Sequence, residues 1–211
     1  MEFKNLRVNY KKDKIDFSSI SDTPIPFFIN WFNDALKNRK EDFNACVLST
    51  VDSKSNPSSR VVLLKSVDDK GFVFFTNYES KKGKDIECNA NVSLNFYWPD
   101  LERQVRISGV AKKVSFSDSD EYFKNRPRES QMGCWVSKQS KIISFDHDFT
   151  KELKNIEERF TSKEISRPTN WGGYCIEPIR IEFWQGRPSR LHDRLVYTYS
   201  EDNWKAERLS P

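Results

Sequence analysis

The feature that most constrains this chain is a succession of short runs rich in Val, Leu, Ile and Phe, punctuated by turn signals. From Asn44 the chain reads NACVLSTV, SKSNPSS, RVVLLKSV, DDKG and FVFFTN, and further on NVSLNFYW, QVRISGVAKKV, YCIEPIRIEFWQ and RLVYTYS. The apolar runs predict strands, with SKSNPSS as a turn and DDKG as the tip of a hairpin. Sequential strands joined by short turns favour antiparallel pairing and a barrel over a doubly wound sheet. The last two runs are expected to close that sheet.

Helical segments interrupt the series. Pro24 and Pro26 fit a helix start, and Phe28, Trp31, Phe32, Ala35 and Leu36 recur at helical spacing, so this helix should pack one apolar stripe on the barrel. Residues 80–87, 117–124 and 148–160 begin with Ser or Asp and have helix-forming interiors. Residues 1–23 are highly charged with little apolar period and read as a mobile arm. One domain over 24–211 then suits a chain of 211 residues.

Composition excludes several classes. Charged residues make up 31% and hydrophobic ones 36%, and no run approaches the roughly 18 apolar residues of a membrane span. The N-terminal MEFKNLRVNYKKDKIDF lacks the apolar core of a signal peptide, so a cytoplasmic location is expected, with no membrane partner. Cys46, Cys88, Cys134 and Cys175 form no Cys-x-x-Cys pair, which points away from metal and disulfide and toward reduced, mostly buried thiols. His147, between Asp146 and Asp148, reads as a solvated loop residue. A net charge of +4, from 35 basic against 31 acidic residues, is no nucleic-acid footprint; small anionic ligands account for it as well.

Four basic clusters carry candidate chemistry. In Arg60-Val61-Val62-Leu63-Leu64-Lys65 two cations bracket a largely buried strand; either anions meet them at its ends or the side chains snorkel outward. Lys81 and Lys82 fall in the first turn of a helix capped by Ser80, opposing its dipole unless an anion shares that end; the bland reading is a solvated pair. If residues 190–194 form a strand, Arg190, His192 and Arg194 share a face beside Phe183 and Trp184, as a polyanion pocket or as an exposed basic edge. Tyr122, Arg126 and Ser130 are spaced four apart, with a helix boundary at Pro127, and suit either a phosphate site or a surface turn. Together the clusters suggest at least two phosphate-bearing ligands.

The blocks RVVLLK, FFTNYESKK, LERQVR, YFKNRPRESQMGCWVSKQS, WGGY and IEFWQGRPSRLHDR, in this order, resemble the pyridoxamine 5′-phosphate oxidases across residues 24–211. The resemblance implies a mostly β fold, a split β-barrel with flanking helices, and a homodimer binding FMN between subunits. It implies FMN contacts at Arg60, Val61, Val62, Leu63, Leu64, Lys65, Phe75, Thr76, Lys81, Lys82, Gln104, Gln139, Ser140, Trp171 and Arg194. Lys65, Tyr122, Arg126 and Ser130 would hold the substrate phosphate. Arg190 and His192, with Leu191 between them, would contact the substrate ring and amine region as the catalytic pair, and which of the two moves a proton stays open. Arg7 and Tyr10 match a lid segment.

The reaction implied is oxidation of pyridoxamine or pyridoxine 5′-phosphate to pyridoxal 5′-phosphate, with O2 reduced to H2O2. Lys81 stands where many members carry arginine, which turns a bidentate clamp into a point charge. Residues 144–169 match poorly and read as a variable surface region. The competing readings are a non-catalytic flavin- or pyridoxal-phosphate-binding barrel and another flavin oxidoreductase of the same barrel; a nucleic-acid-binding barrel fits the separated basic clusters worst.

Overall fold

The computed structural model describes residues 9–38 and 41–211. Helix α1 (Pro24–Asn38) opens with proline in its first turn and buries Ile25, Phe28, Trp31 and Ala35. Strands β1 (Ala45–Val51), β2 (Pro57–Leu63), β3 (Ser66–Asp68) and β4 (Gly71–Asn77) follow, then helix α2 (Lys81–Cys88) and strands β5 (Asn91–Trp98) and β6 (Arg103–Lys113). Helices α3 (Phe116–Lys124), α4 (Arg128–Val136) and α5 (Thr150–Arg159) lead into β7 (Trp171–Gln185), β8 (Asp193–Ser200) and β9 (Asn203–Arg208).

Every strand pair is antiparallel, in the order β2-β1-β5-β6-β7-β4-β3. The split in the barrel comes from the length of β7. Along one edge residues 174–185 of this 15-residue strand pair with β6; its other edge is shared by β4, against residues 171–176, and β8, against residues 180–185. The handover falls at Pro178, which has no N–H to give a ladder, opposite a register shift between Ser108 and Gly109. Gly109 is required there: a Cβ would run into the Glu177 carbonyl. The fold is the expected mostly β split barrel with flanking helices.

The main core fills the barrel from α1. Phe28 is fully buried and packs edge-on to Phe72 and Phe96, at 4.9 and 5.4 Å between ring centroids. A second cluster, Phe123, Met132, Phe160, Ile165 and Trp171, seats α3 and α4 over the start of β7.

Several expectations are corrected. β2 begins at Pro57, inside the segment read as a turn, because an edge strand tolerates a proline at its first position. It is not largely buried: with β1 as its ladder partner, it leaves Val61 65% and Leu63 40% exposed. The cap of α3 is Ser115, whose hydroxyl accepts from Asp118 N–H, not Ser117. Helix α4 and strand β9 were not expected. Glu201 and Asp202, both at positive φ, make the tight turn into β9, where Trp204 and Ala206 alternate with Lys205 and Glu207. Of the four thiols only Cys46 is buried, and Cys88 is exposed. Residues 9–23 are coil but make defined contacts with the barrel, among them Ile15, which is buried in the core. Among the described residues no helix is long and apolar enough to cross a membrane.

Candidate functional site

β2 and β4 approach each other without pairing, and a cavity of about 900 Å³ opens between them, roofed by the turn from α3 into α4 and by Gln139 and Ser140. That volume suits a cofactor with a substrate beside it. One end is cationic. Lys82 is buried, and its Nζ meets Thr76 Oγ1, Gln139 Oε1 and Ser80 Oγ at 3.3, 3.2 and 3.4 Å, all neutral. Burial, and then the charge of Arg60, push its pKa down. Ser80 caps α2, accepting from Gly83 N–H.

Asp85 is engaged elsewhere. It accepts from Thr50 at 2.7 Å and from Lys81 at 3.0 Å, and Arg60 stands 3.8 Å away. Arg60 itself donates to Thr50 Oγ1 and Ser58 Oγ. Among the described residues Lys82 therefore has no carboxylate partner, at the N-terminus of a helix whose free N–H groups also favour an anion. A phosphate ester is the chemistry this end lacks, so the residues fit the FMN phosphate.

The rest of the cavity is aromatic with a second set of phosphate-type donors. Phe75 stacks on Tyr122 at 3.9 Å and on Trp171 at 5.6 Å, nearly parallel in both cases. Arg126 lies over the Trp171 ring at 4.6 Å and donates to Cys134 Sγ. Lys65 and Ser130 complete that wall. Each is held by local structure: Lys65 follows β2 and donates its N–H to Val73 on β4, while Ser130 lies in α4, which Pro127 starts.

A second cluster forms at the far end of β7. Trp184 has Gln104 as its cross-strand neighbour on β6 and Arg194 on β8. His192 packs on Trp184 at 4.6 Å, with Tyr10 edge-on to both. His192 Nδ1 accepts Arg187 N–H at 3.1 Å, which leaves the proton of the neutral ring on Nε2. Burial and the neighbouring Arg190 lower its pKa, against a smaller opposing pull from Asp193. Arg194 is held by Glu182, which is almost fully buried; burial raises that carboxyl, but hydrogen bonds from Arg106, Arg194 and Arg180 outweigh it and hold the pKa low.

The cavity thus collects Arg60, Val61, Val62, Leu63, Lys65, Phe75, Thr76, Lys81, Lys82, Gln139, Ser140 and Trp171, together with Tyr122, Arg126 and Ser130. Leu64 instead belongs to the core. Gln104, Tyr10, Arg190, Leu191, His192 and Arg194 lie outside the cavity lining. Trp171 and Trp184 are 13 residues apart on β7, roughly 40 Å for an extended strand before its bend is counted. Arg7 lies outside the described residues.

The expected strand face over 190–194 is not formed. Pro188 starts a 3₁₀ turn that ends at Arg190, with Ser189 and Arg190 both at positive φ, and β8 begins only at Asp193. Sequence reasoning missed Ser58 and Asn125, which line the cavity, and Glu182, which orients Arg194. Ser58 had a signal, since it lies two residues before Arg60 on the same strand face.

Family models match most of the chain. Residues 32–157 match the model of a family described as pyridoxamine 5′-phosphate oxidase, and residues 171–211 match the pyridoxine 5′-phosphate oxidase C-terminal dimerisation region. The chain is 48% identical to the pyridoxine/pyridoxamine 5′-phosphate oxidase 2 of Hydrogenovibrio crunogenus, over 98% of this chain and 97% of that one. It is 47% identical to the pyridoxine/pyridoxamine 5′-phosphate oxidase of Bordetella pertussis, over the full length of both. Among solved structures it is similar to PhzG from Burkholderia lata in complex with tetrahydrophenazine-1-carboxylic acid, with TM-score 0.88 and 27% identity, covering 95% of this chain and 100% of that one. A pyridoxamine 5′-phosphate oxidase-related, FMN binding protein from Nostoc punctiforme shares the fold, with TM-score 0.74 and 15% identity over 91% of this chain and 100% of that one.

Proposed function

Because this chain belongs to the pyridoxamine 5′-phosphate oxidase family, whose cofactor is FMN, we propose that it oxidises pyridoxamine 5′-phosphate and pyridoxine 5′-phosphate to pyridoxal 5′-phosphate, reducing O2 to H2O2, with water hydrolysing the imine formed from the amine substrate and releasing ammonia. The observation that carries this reading is one cavity lined by two sets of phosphate-type side chains together with an aromatic stack of Phe75, Tyr122 and Trp171. Lys82, Lys81, Arg60 and Thr76 would hold the FMN phosphate. Lys65, Tyr122, Arg126 and Ser130 would hold the phosphate of the substrate.

Bound FMN supplies the two-electron acceptor that O2 then regenerates. The side chains bind, align and exclude water. Arg126, fixed over Trp171, fastens one end of the substrate, so that its reacting carbon has a single reach. Arg190 and His192 meet the other end. His192 is neutral near pH 7 and presents Nε2–H, and together with Arg190 it would orient the substrate amine or hydroxyl; for the alcohol substrate their donors would also stabilise negative charge on the oxygen as its proton is lost.

The two clusters meet when a second copy of the chain supplies the Arg190 end. Val61 and Tyr97 stand exposed on the sheet face that also carries Gln104, Trp184 and Arg194, as the strand registers require, and such a face suits a two-fold interface. Arg190 and His192 of one copy would then complete the cavity of the other.

The likeness to PhzG supports a second reading, a tricyclic carboxylic acid as substrate. Lys65, Tyr122, Arg126 and Ser130 favour the phosphorylated pyridine. The test is incubation of the FMN-loaded protein with pyridoxamine 5′-phosphate in air. Pyridoxal 5′-phosphate and H2O2 are expected in equal amounts, with KM raised about tenfold or more in Arg126→Ala as a charge-assisted contact is lost. FMN binding without turnover sinks the oxidase reading; turnover with unchanged KM in the variant sinks the phosphate assignment.

A further inference from the structure

The arm residues 10–15 are tied to the barrel by an unusual concentration of polar contacts at one corner. Glu102 is buried, and its Oε2 accepts both Lys11 N–H and Lys12 N–H, at 2.8 and 3.0 Å. It sits at φ 54°, a left-handed conformation that residues with a Cβ rarely adopt. The next residue, Arg103, is also buried and spends its guanidinium on three elements at once. It reaches Asp13 of the arm at 2.6 Å, Asp34 of α1 at 2.9 Å and Gln185 of β7 at 2.9 Å. Arg187 donates to the Asp13 carbonyl, and Asp193 accepts Ile15 N–H.

These contacts have a consequence for one side chain. They fix the strap immediately after Tyr10, whose ring lies edge-on to Trp184 and His192, at 5.6 and 5.8 Å. Room for that ring depends on Gly186: a Cβ there would stand 2.7 Å from Tyr10 Cγ and 3.1 Å from Glu102 Cβ. Arg187 joins both parts, since its side chain holds Asp13 while its backbone N–H holds His192 Nδ1.

We propose that Glu102 and Arg103 are positioning residues that latch the arm to the barrel, so that Tyr10 covers the His192 end of the substrate site. This rests on the oxidase reading for its substrate, although the latch itself is read without one. Glu102 and Arg103 touch no reacting group; they act through Tyr10. Loosening the latch should remove binding common to ground and transition states, which raises KM and spares kcat.

The experiment uses the full-length FMN-loaded protein and two variants, Glu102→Gln and Asp13→Asn, with Gly186→Ala as an approach from the opposite side. Trypsin cleavage after Lys11 and Lys12 is followed by mass spectrometry without substrate, and cleavage after Lys151 and Lys154 in α5 reports general loosening. All three variants should be cut at Lys11 and Lys12 about tenfold faster than wild type with α5 cleavage unchanged, since only local opening is affected. KM for pyridoxamine 5′-phosphate should rise about fivefold at unchanged kcat, and Tyr10→Ala should add little on top of Glu102→Gln. Unchanged cleavage in the variants overturns the latch. Faster cleavage with unchanged KM overturns its role in the site. A wild-type protein that does not oxidise pyridoxamine 5′-phosphate overturns the oxidase reading instead, with the latch still decided by cleavage.

Discussion

Lys82 and His192 show how single residues mark the site. An ammonium buried among Thr76, Ser80 and Gln139 is a charge awaiting an anion, and no packing role explains a lysine there. For His192 the environment sets a pH dependence. Burial and Arg190 lower its pKa, so the neutral ring prevails near pH 7 and is lost as pH falls through a value below the ordinary imidazole value of about 6.5. Protonated Nδ1 no longer accepts Arg187 N–H, and the ring loses its orientation. The acid limb of kcat/KM is therefore expected below about pH 6.5, and it should vanish in His192→Asn. A limb at higher pH, or one that survives the substitution, contradicts the assignment. The basic side chains were legible in the sequence because charges in apolar or helix-start settings need partners; which anion each meets was legible only through the resemblance.

At the scale of elements, the strand runs and the α1 stripe were legible because periodicity reports burial directly. What escaped were features decided by neighbours distant in sequence. β2 has the composition of an interior strand but lies at an edge, and β9 carries polar residues whose alternation matters only once β8 is beside it. Residues 188–192 pass near β-rich sequence but turn, because Pro188 breaks the ladder. Helix α1 gives the cleanest element-level prediction. Phe28 fills the barrel between Phe72 and Phe96, so Phe28→Ala should cost about 3–5 kcal/mol of stability. Denaturant unfolding measures it, and a loss under about 1 kcal/mol would show that α1 is not part of the cooperative core.

For the whole molecule, the long β7 is what separates the two clusters, with Trp171 at one end and Trp184 at the other. That separation was not legible in the sequence, where both groups read as parts of one site, because the distance between them depends on strand length and on where the sheet divides. On the proposed arrangement each working site needs two copies of the chain. Complementation tests this most directly. Arg126→Ala and Arg190→Ala proteins, each with little activity at substrate concentrations well below KM, are unfolded together in equal amounts, refolded with FMN, and assayed for pyridoxal 5′-phosphate at such concentrations. Half of the dimers should be mixed, each with one intact site, so the account predicts about a quarter of wild-type activity. Activity no greater than the sum of the two separate variants would contradict it.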